Sequence, residues 1–226
     1  MNIPIIYIPK TKFKKYICID KRYDCAKEII PIGSDCHPAY TLQSLHLRKH
    51  SLPFDWLNTN PIKGLDFVHK NIQTSFSLFL DGLHKNERDH VVSKEYPFAE
   101  FMHEKNLIEN KLDQDKFVRR IKRLQDIIQC ECYFLYTIPS KSLKTEFEIN
   151  EFYNSVISFE SELNDKQQLC IYIRYDEHFN ENEANCNALL EMIIKYLKSI
   201  RLNIFEKKKK KVFGAMKKNT LHYIRH

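Results

Sequence analysis

Glycine is scarce in this chain, with 4 residues among 226, so a glycine-rich phosphate-binding loop is not expected. No apolar run approaches the roughly 20 residues that a membrane-spanning helix needs. Residues 1–10 are apolar but few, and they lack a small-residue cleavage site, which argues against a signal peptide. We therefore expect a soluble cytoplasmic protein.

The cysteines form no C-x-x-C pair, although the chain has seven of them. Without a secretion signal, they are expected to be reduced thiols. Cys130 and Cys132 form a C-x-C pattern, but no two further ligands follow at a spacing typical of zinc sites. We accordingly predict neither a metal site nor a cofactor.

The net charge of +7 is concentrated at the C-terminal end, where residues 207–226 contain eight Lys or Arg and no acid. Subtracting these eight from the 36 basic residues leaves 28, against 29 acidic residues, so the rest is nearly neutral. Nucleic-acid binding is therefore not favoured. The alternatives are a solubilising end or contact with an anionic membrane surface, which would place the protein at the inner face of the membrane. The five lysines that would make this contact are Lys207, Lys208, Lys209, Lys210 and Lys211.

Apolar runs alternate with amphipathic segments along most of the chain. The short runs are typical of strands buried on both faces, and they span residues 27–33, 131–138, 169–175 and 201–205. Apolar residues spaced by three and four predict helices over residues 115–129, 149–163 and 183–198. This order predicts an α/β fold, a three-layer sandwich with a mainly parallel central sheet of at least four strands.

Residues 51–110 are less regular. They contain a predicted helix at 61–72 and a hairpin or extended cover at 91–103. We expect this segment to be a lid-like insertion that follows the first strand and helix. The predicted organisation is one α/β domain, residues 1–206, followed by a basic C-terminal tail, residues 207–226.

Residues 29–57 are the segment most suited to chemistry. Here Cys36 lies between the end of a buried strand and a helix that begins near Pro38, which is where open α/β sheets bind ligands. A helix N-terminus can lower the pKa of a thiol, and its free N–H groups can hold an anion. Cys36 is therefore either a nucleophile or a small buried residue in a turn. Four other residues of the turn are candidate substrate-binding groups: Gly33, Ser34, Asp35 and His37.

The heptapeptide SLPFDWL, residues 51–57, places an acid between two aromatic residues. A buried carboxylate needs partners, so Asp55 is expected to orient a histidine, to pair with Arg48 or to accept backbone N–H groups. Arg48 and Trp56 are further candidate substrate-binding residues.

The runs G-S-D-C-H-P-A-Y and S-L-P-F-D-W resemble a bacterial family labelled "putative papain-like cysteine peptidase". The resemblance implies that Cys36 is the nucleophile and His103 its base. Asp55 is a candidate orienting acid for that base, because its carboxylate needs a partner. His178 competes for the role of base, because it follows a predicted strand. Papain-like folds place the cysteine on a long helix and the histidine on an antiparallel sheet, whereas this chain predicts a parallel sheet.

Three functions are compatible with these observations. The first is a cysteine-dependent hydrolase or acyl transferase that acts on a peptide or small molecule. The second is a glycosyl- or phosphoribosyl-type transferase for a sugar-phosphate substrate, which the resemblance links to surface-polysaccharide synthesis. The third is a non-catalytic binding module.

Overall fold

A computed structural model describes residues 23–174 and 184–195 with their side chains. It also gives the backbone of the elements that span residues 2–7, 14–18, 181–197 and 220–222. The predicted strand at residues 201–205, His178 and most of the basic tail lie outside the described residues.

The described chain contains both strands and helices. The strands are β1 (Asn2–Tyr7), β2 (Lys14–Cys18), β3 (Glu28–Pro31), β4 (His84–Lys85), β5 (Val91–Val92), β6 (Cys132–Pro139), β7 (Gln167–Arg174) and β8 (Thr220–His222). The α-helices are α1 (His37–Ser44), α2 (Gly64–Gln73), α3 (Lys111–Ile127), α4 (Glu146–Ser161) and α5 (Glu181–Leu197). The predicted α/β class is confirmed.

The main sheet has the strand order β3-β6-β7-β8. The first three strands are parallel, and β8 pairs with β7 in the antiparallel direction. The predicted mainly parallel sheet of at least four strands is therefore confirmed, with three parallel strands and one antiparallel strand at the edge. The fourth strand comes from the C-terminal end of the chain and runs in the opposite direction.

Apolar residues of β6 explain the position of this strand in the middle of the sheet. Phe134, Tyr136 and Ile138 are almost completely buried, because β3 and β7 flank the strand and the helices cover it. Helix α2 packs against α4, and α4 packs against α5. Helix α4 begins at a capping box in which Thr145 and Glu148 each bind the backbone of the other.

The segment 51–110 is packed into the main core. The predicted helix in it is α2. A hairpin occurs at residues 84–92, where β4 pairs with β5, so it begins before the predicted range of 91–103, and within that range Val91 forms a single bridge with Phe101. Its aromatic rings contact one another and reach α3; they are Phe54, Phe67, Phe76, Phe79, Tyr96, Phe98, Phe101 and, on α3, Phe117. The segment is therefore a fixed part of the fold that holds residues next to the sheet. In the part of the chain that the structure describes, no helix is long and apolar enough to cross a membrane.

Candidate active site

Cys36 lies where the sequence predicts it, between the end of β3 and the first turn of α1. It is the N-cap residue of α1, and its carbonyl accepts the first helical hydrogen bond, from the N–H of Tyr40. The residue is half-buried, so its thiol is partly accessible, as expected. The carboxyl end of β3 thus presents a thiol at the edge of the sheet where ligands of α/β proteins bind.

The turn before Cys36 is held tightly against β6. A Cβ atom on Gly33 would lie 2.8 Å from the backbone nitrogen of Thr137, so only glycine fits without displacement. The Ser34 hydroxyl donates to the Thr137 carbonyl over 3.0 Å, and the Ser34 carbonyl accepts the Thr59 N–H at 2.7 Å. Ser34 is only 3% exposed. Gly33 and Ser34 therefore fix the path of the turn, and the structure gives them no exposed group for a substrate.

His103 meets Cys36 although 67 positions separate them. Its Nε2 atom lies 3.5 Å from the Cys36 sulfur. Backbone pairing brings it there, because Asn58 and Glu100 exchange two hydrogen bonds of 2.8 and 3.0 Å, and Phe101 bonds to Val91. The irregular segment therefore carries a histidine to the thiol at the end of β3.

The surroundings of the Cys36 thiol disfavour its ionisation. Burial raises the pKa of the thiol first, the negative charge of Asp35 raises it further, and the backbone N–H of Cys36 lowers it. The pKa of Cys36 is therefore raised overall, opposite to the lowering expected at a helix N-terminus. Asp35 is itself paired with Arg174 at the end of β7, and it accepts the His37 N–H at 2.9 Å.

His37 faces away from the thiol. Its ring stacks on Tyr172 with centroids 6.2 Å apart, and its Nδ1 atom lies 3.3 Å from the Thr41 hydroxyl. Burial lowers the pKa of His37, and the nearby charge of Arg174 lowers it further. These contacts agree with the expectation that His37 is not the base for its neighbour.

Asp55 is buried, with 1% exposure, and its partners decide among the three expectations for it. The carboxylate binds the Arg48 guanidinium and accepts the Leu52 N–H at 2.9 Å. Burial raises the pKa of Asp55, and the bond from Arg48 opposes this rise. Among the described residues, Asp55 forms no hydrogen bond with a histidine. Pairing with Arg48 and with a backbone N–H, the other two expectations, are both observed.

Arg48 and Trp56 link this buried ion pair to His103. The Arg48 guanidinium lies over the Trp56 ring, 5.3 Å from its centroid. The Trp56 ring meets the His103 ring edge to face, with centroids 6.2 Å apart and planes at 85°. The acid that follows His103 in sequence, Glu104, pairs instead with Lys116 over 2.6 Å.

Sequence reasoning missed Arg174, which contributes the cation nearest to Asp35. The available signal was its position, because the last residue of a parallel strand points to the same sheet edge as the residues after β3. His178, the competing histidine, lies outside the described residues. No group of metal-binding side chains occurs within the part of the molecule that the structure describes.

The fold and the site together define a mixed α/β protein with a cysteine and a histidine paired at the carboxyl ends of parallel strands. The chain belongs to the family described as "Putative papain-like cysteine peptidase", whose model matches residues 27–205.

Over 50 residues the chain is 46% identical to "Uncharacterized protein R408" of Acanthamoeba polyphaga mimivirus. The match covers 22% of the chain and 22% of that protein, so it relates only a short segment of each. No solved structure matches the chain.

Proposed function

We propose that the protein is a cysteine-dependent hydrolase or acyl transferase in which Cys36 is the nucleophile and His103 the base. The observation that carries this proposal is the distance of 3.5 Å between the Cys36 sulfur and Nε2 of His103. A nucleophile and a base within reach of each other are the geometric mark of covalent catalysis, and apo sites are often slightly loose. Membership of a family described as papain-like peptidases supports the same assignment.

The reaction begins with transfer of the thiol proton from Cys36 to Nε2 of His103. The sulfur then attacks the carbonyl carbon of an amide or ester, and the carbonyl oxygen becomes an oxyanion. Collapse of this intermediate breaks the bond to the leaving group, which takes the proton from His103. The resulting thioester is cleaved by water in a hydrolase or by another nucleophile in an acyl transferase, and the Cys36 thiol re-forms.

His103 is essential to this scheme because the remaining surroundings favour the neutral thiol. Burial and Asp35 both raise the pKa of Cys36. A thiolate therefore forms only when a nearby imidazole accepts the proton and stabilises the negative sulfur. The pairing of Arg174 with Asp35 reduces the opposing effect of that carboxylate.

The phosphate-binding turn required by a sugar transferase receives no support from the site. The N–H of His37, which could face a phosphate at the N-terminus of α1, already donates to Asp35 over 2.9 Å. The same carboxylate would repel a phosphate group. Function in surface-polysaccharide synthesis has no supporting observation in the structure either.

Mass spectrometry with a simple activated ester, such as p-nitrophenyl acetate, tests the proposal. Wild-type protein should gain one acetyl group on Cys36 and then lose it as the thioester hydrolyses. Cys36→Ser should abolish this cycle, and His103→Ala should slow both steps. Cys130→Ser is the matched control, since it removes an exposed thiol far along the chain. Acetylation of Cys36 no faster than that of Cys130 would favour a non-catalytic binding module.

The basic C-terminal residues supply a separate proposal about location. The five lysines at 207–211 carry positive charge that suits an anionic membrane surface, at roughly 1 kcal/mol for each residue near the headgroups. This run of five positive charges supports a peripheral contact with the membrane, and the contact should weaken as the salt concentration rises.

A further inference from the structure

Trp56 connects the cysteine–histidine pair to the buried ion pair of Arg48 and Asp55. One edge contact joins the Trp56 ring to His103, and the Arg48 guanidinium covers the Trp56 ring. These four side chains form a continuous chain of contacts that begins in the core and ends beside the Cys36 sulfur. Neither the turn around Cys36 nor the strands of the sheet take part in it.

His103 needs such support because it is exposed and lies on a turn. Within the described residues, no hydrogen bond joins its other ring nitrogen, Nδ1, to a protein group. The following acid, Glu104, is occupied by Lys116. Besides the Cys36 sulfur, the described partner of the His103 ring is therefore Trp56, and an edge-to-face contact between rings has a preferred geometry.

The position of Trp56 is in turn held by a network of hydrogen bonds and one ion pair in residues 48–55. Asp55 accepts the Leu52 N–H at 2.9 Å, and Arg48 reaches the Ser51 hydroxyl at 3.0 Å as well as Asp55. Arg123 of α3 donates to the Ser51 carbonyl over 2.7 Å and ties the loop to a helix. The Arg48 side chain is only 14% exposed, and its guanidinium is held over the ring of Trp56 by these partners.

We propose that Arg48 and Asp55 are positioning residues, which act through Trp56 to hold His103 at the Cys36 thiol. This inference rests on the proposed function, because it assigns a purpose to the pairing of His103 with Cys36. Arg48 provides a flat cation that stacks on the indole ring, and Asp55 fixes the orientation of that cation. Asp55 and Trp56 of the S-L-P-F-D-W run thereby position the base, and the base itself, His103, comes from a later segment.

The test measures how fast iodoacetamide alkylates Cys36 between pH 5 and pH 9, relative to the exposed Cys130 of the same molecule. Arg48→Lys keeps the charge beside Asp55 but removes the planar stack, and Trp56→Leu removes the aromatic edge. Both should lower the Cys36 rate at pH 6 by about threefold or more and approach the profile of His103→Ala. Trp56→Phe retains an aromatic edge and should stay within about twofold of the wild type.

The matched control is Arg120→Lys. Arg120 also places a guanidinium over an aromatic ring, that of Phe117, at 5.1 Å, and its charge acts on Asp55 as well. That ring is not in contact with His103 among the described residues, so the control should leave the Cys36 profile unchanged.

Each outcome decides the proposal when thermal unfolding is measured in parallel. A merely structural ion pair would lower the melting temperature of Arg48→Lys without altering the ratio of Cys36 to Cys130 labelling, and that result would overturn the positioning role alone. Wild-type reactivity of Cys36 in His103→Ala would overturn the proposed function and the positioning role together. If Trp56→Leu does not fold, Arg48→Lys and Trp56→Phe still give opposite expected results.

Discussion

Replacement of His103 by alanine should lower the thiolate fraction of Cys36, because the other groups around the thiol favour its neutral form. Proton transfer within the proposed pair would place a protonated imidazole 3.5 Å from a negative sulfur, an arrangement that contributes about 1 kcal/mol in bulk water and about 5 kcal/mol at an effective dielectric constant near 20. The contact is exposed, so solvent screening places the value near the lower limit, at about 1–2 kcal/mol. This free energy corresponds to about one pKa unit of the thiol.

His103→Ala should therefore raise the pKa of Cys36 and leave burial and Asp35 opposed only by the backbone N–H of Cys36. Below that pKa, the thiolate fraction should fall about tenfold. A more basic thiolate is also a better nucleophile, with a Brønsted slope of about 0.4–0.5, so the net fall in alkylation rate is about threefold to fourfold.

The assay is iodoacetamide labelling across pH, resolved by peptide mass spectrometry. Cys130 is exposed and serves as the internal reference, and His84→Ala removes an exposed histidine that bonds only to the Gly82 carbonyl among the described residues. The ratio of Cys36 to Cys130 labelling at pH 6 should be the same in the wild type and in His84→Ala, and about threefold lower in His103→Ala. An unchanged ratio in His103→Ala would refute the reasoning.

Four further changes test separate parts of the structure. Asp35→Asn should lower the pKa of Cys36 and speed its alkylation near neutral pH several-fold; an equal or slower rate would contradict the assigned electrostatics. Gly33→Ala should lower the free energy of unfolding by about 1–3 kcal/mol in a urea titration, because the added methyl group meets the backbone of β6, and a neutral effect would refute that packing. At Glu100, burial raises the pKa, but hydrogen bonds from neighbouring amides and a guanidinium outweigh it and lower the pKa overall. The stability that ionised Glu100 provides is therefore complete above a pH of about 4.3, the pKa of an unfolded glutamate, and is lost as pH falls through the lower pKa of the folded protein. Glu100→Gln should therefore reduce the free energy of unfolding by about 1–3 kcal/mol at pH 7 and by little in acid, and an equal reduction at both pH values would contradict this. Replacement of the lysines at 207–211 by glutamine should reduce co-sedimentation of the protein with anionic vesicles and leave its co-sedimentation with neutral vesicles unchanged. Equal binding of the wild type and the variant to anionic vesicles would exclude a membrane contact through these lysines.

Local pattern was sufficient for the elements whose signal lies within a few residues. The apolar runs before Gly33, after Cys130 and around Cys170 became β3, β6 and β7, because a strand buried on both faces needs continuous apolar sequence. The position of Cys36 also followed from local order, since a strand, a turn and a proline-started helix leave one place for it. The antiparallel direction of β8 had no such signal, because strand direction depends on how a distant segment returns to the sheet.

The partners of the site residues could not be derived in the same way. The approach of His103 to Cys36 depends on pairing between Asn58 and Glu100, and no periodicity in either segment specifies that pairing. Only the resemblance selected His103. The partner of Asp55 was underdetermined for a related reason, because a buried carboxylate is satisfied equally well by an arginine, a histidine or backbone N–H groups.

The parallel sheet and the papain-like family description are compatible once site and scaffold are considered separately. A cysteine nucleophile needs a helix N-terminus or a base near its sulfur, and β3 followed by α1 supplies that position for Cys36. The base needs only to reach the sulfur, and an antiparallel bridge between Val91 and Phe101 delivers His103 to it. The same constellation occurs on unrelated scaffolds, so the parallel strands do not exclude thiol chemistry, and the family description does not determine the substrate. The substrate of the proposed reaction would depend on groups around the thiol, and one of these is Asp35, whose charge acts on Cys36 and which is paired with Arg174 at the sheet edge.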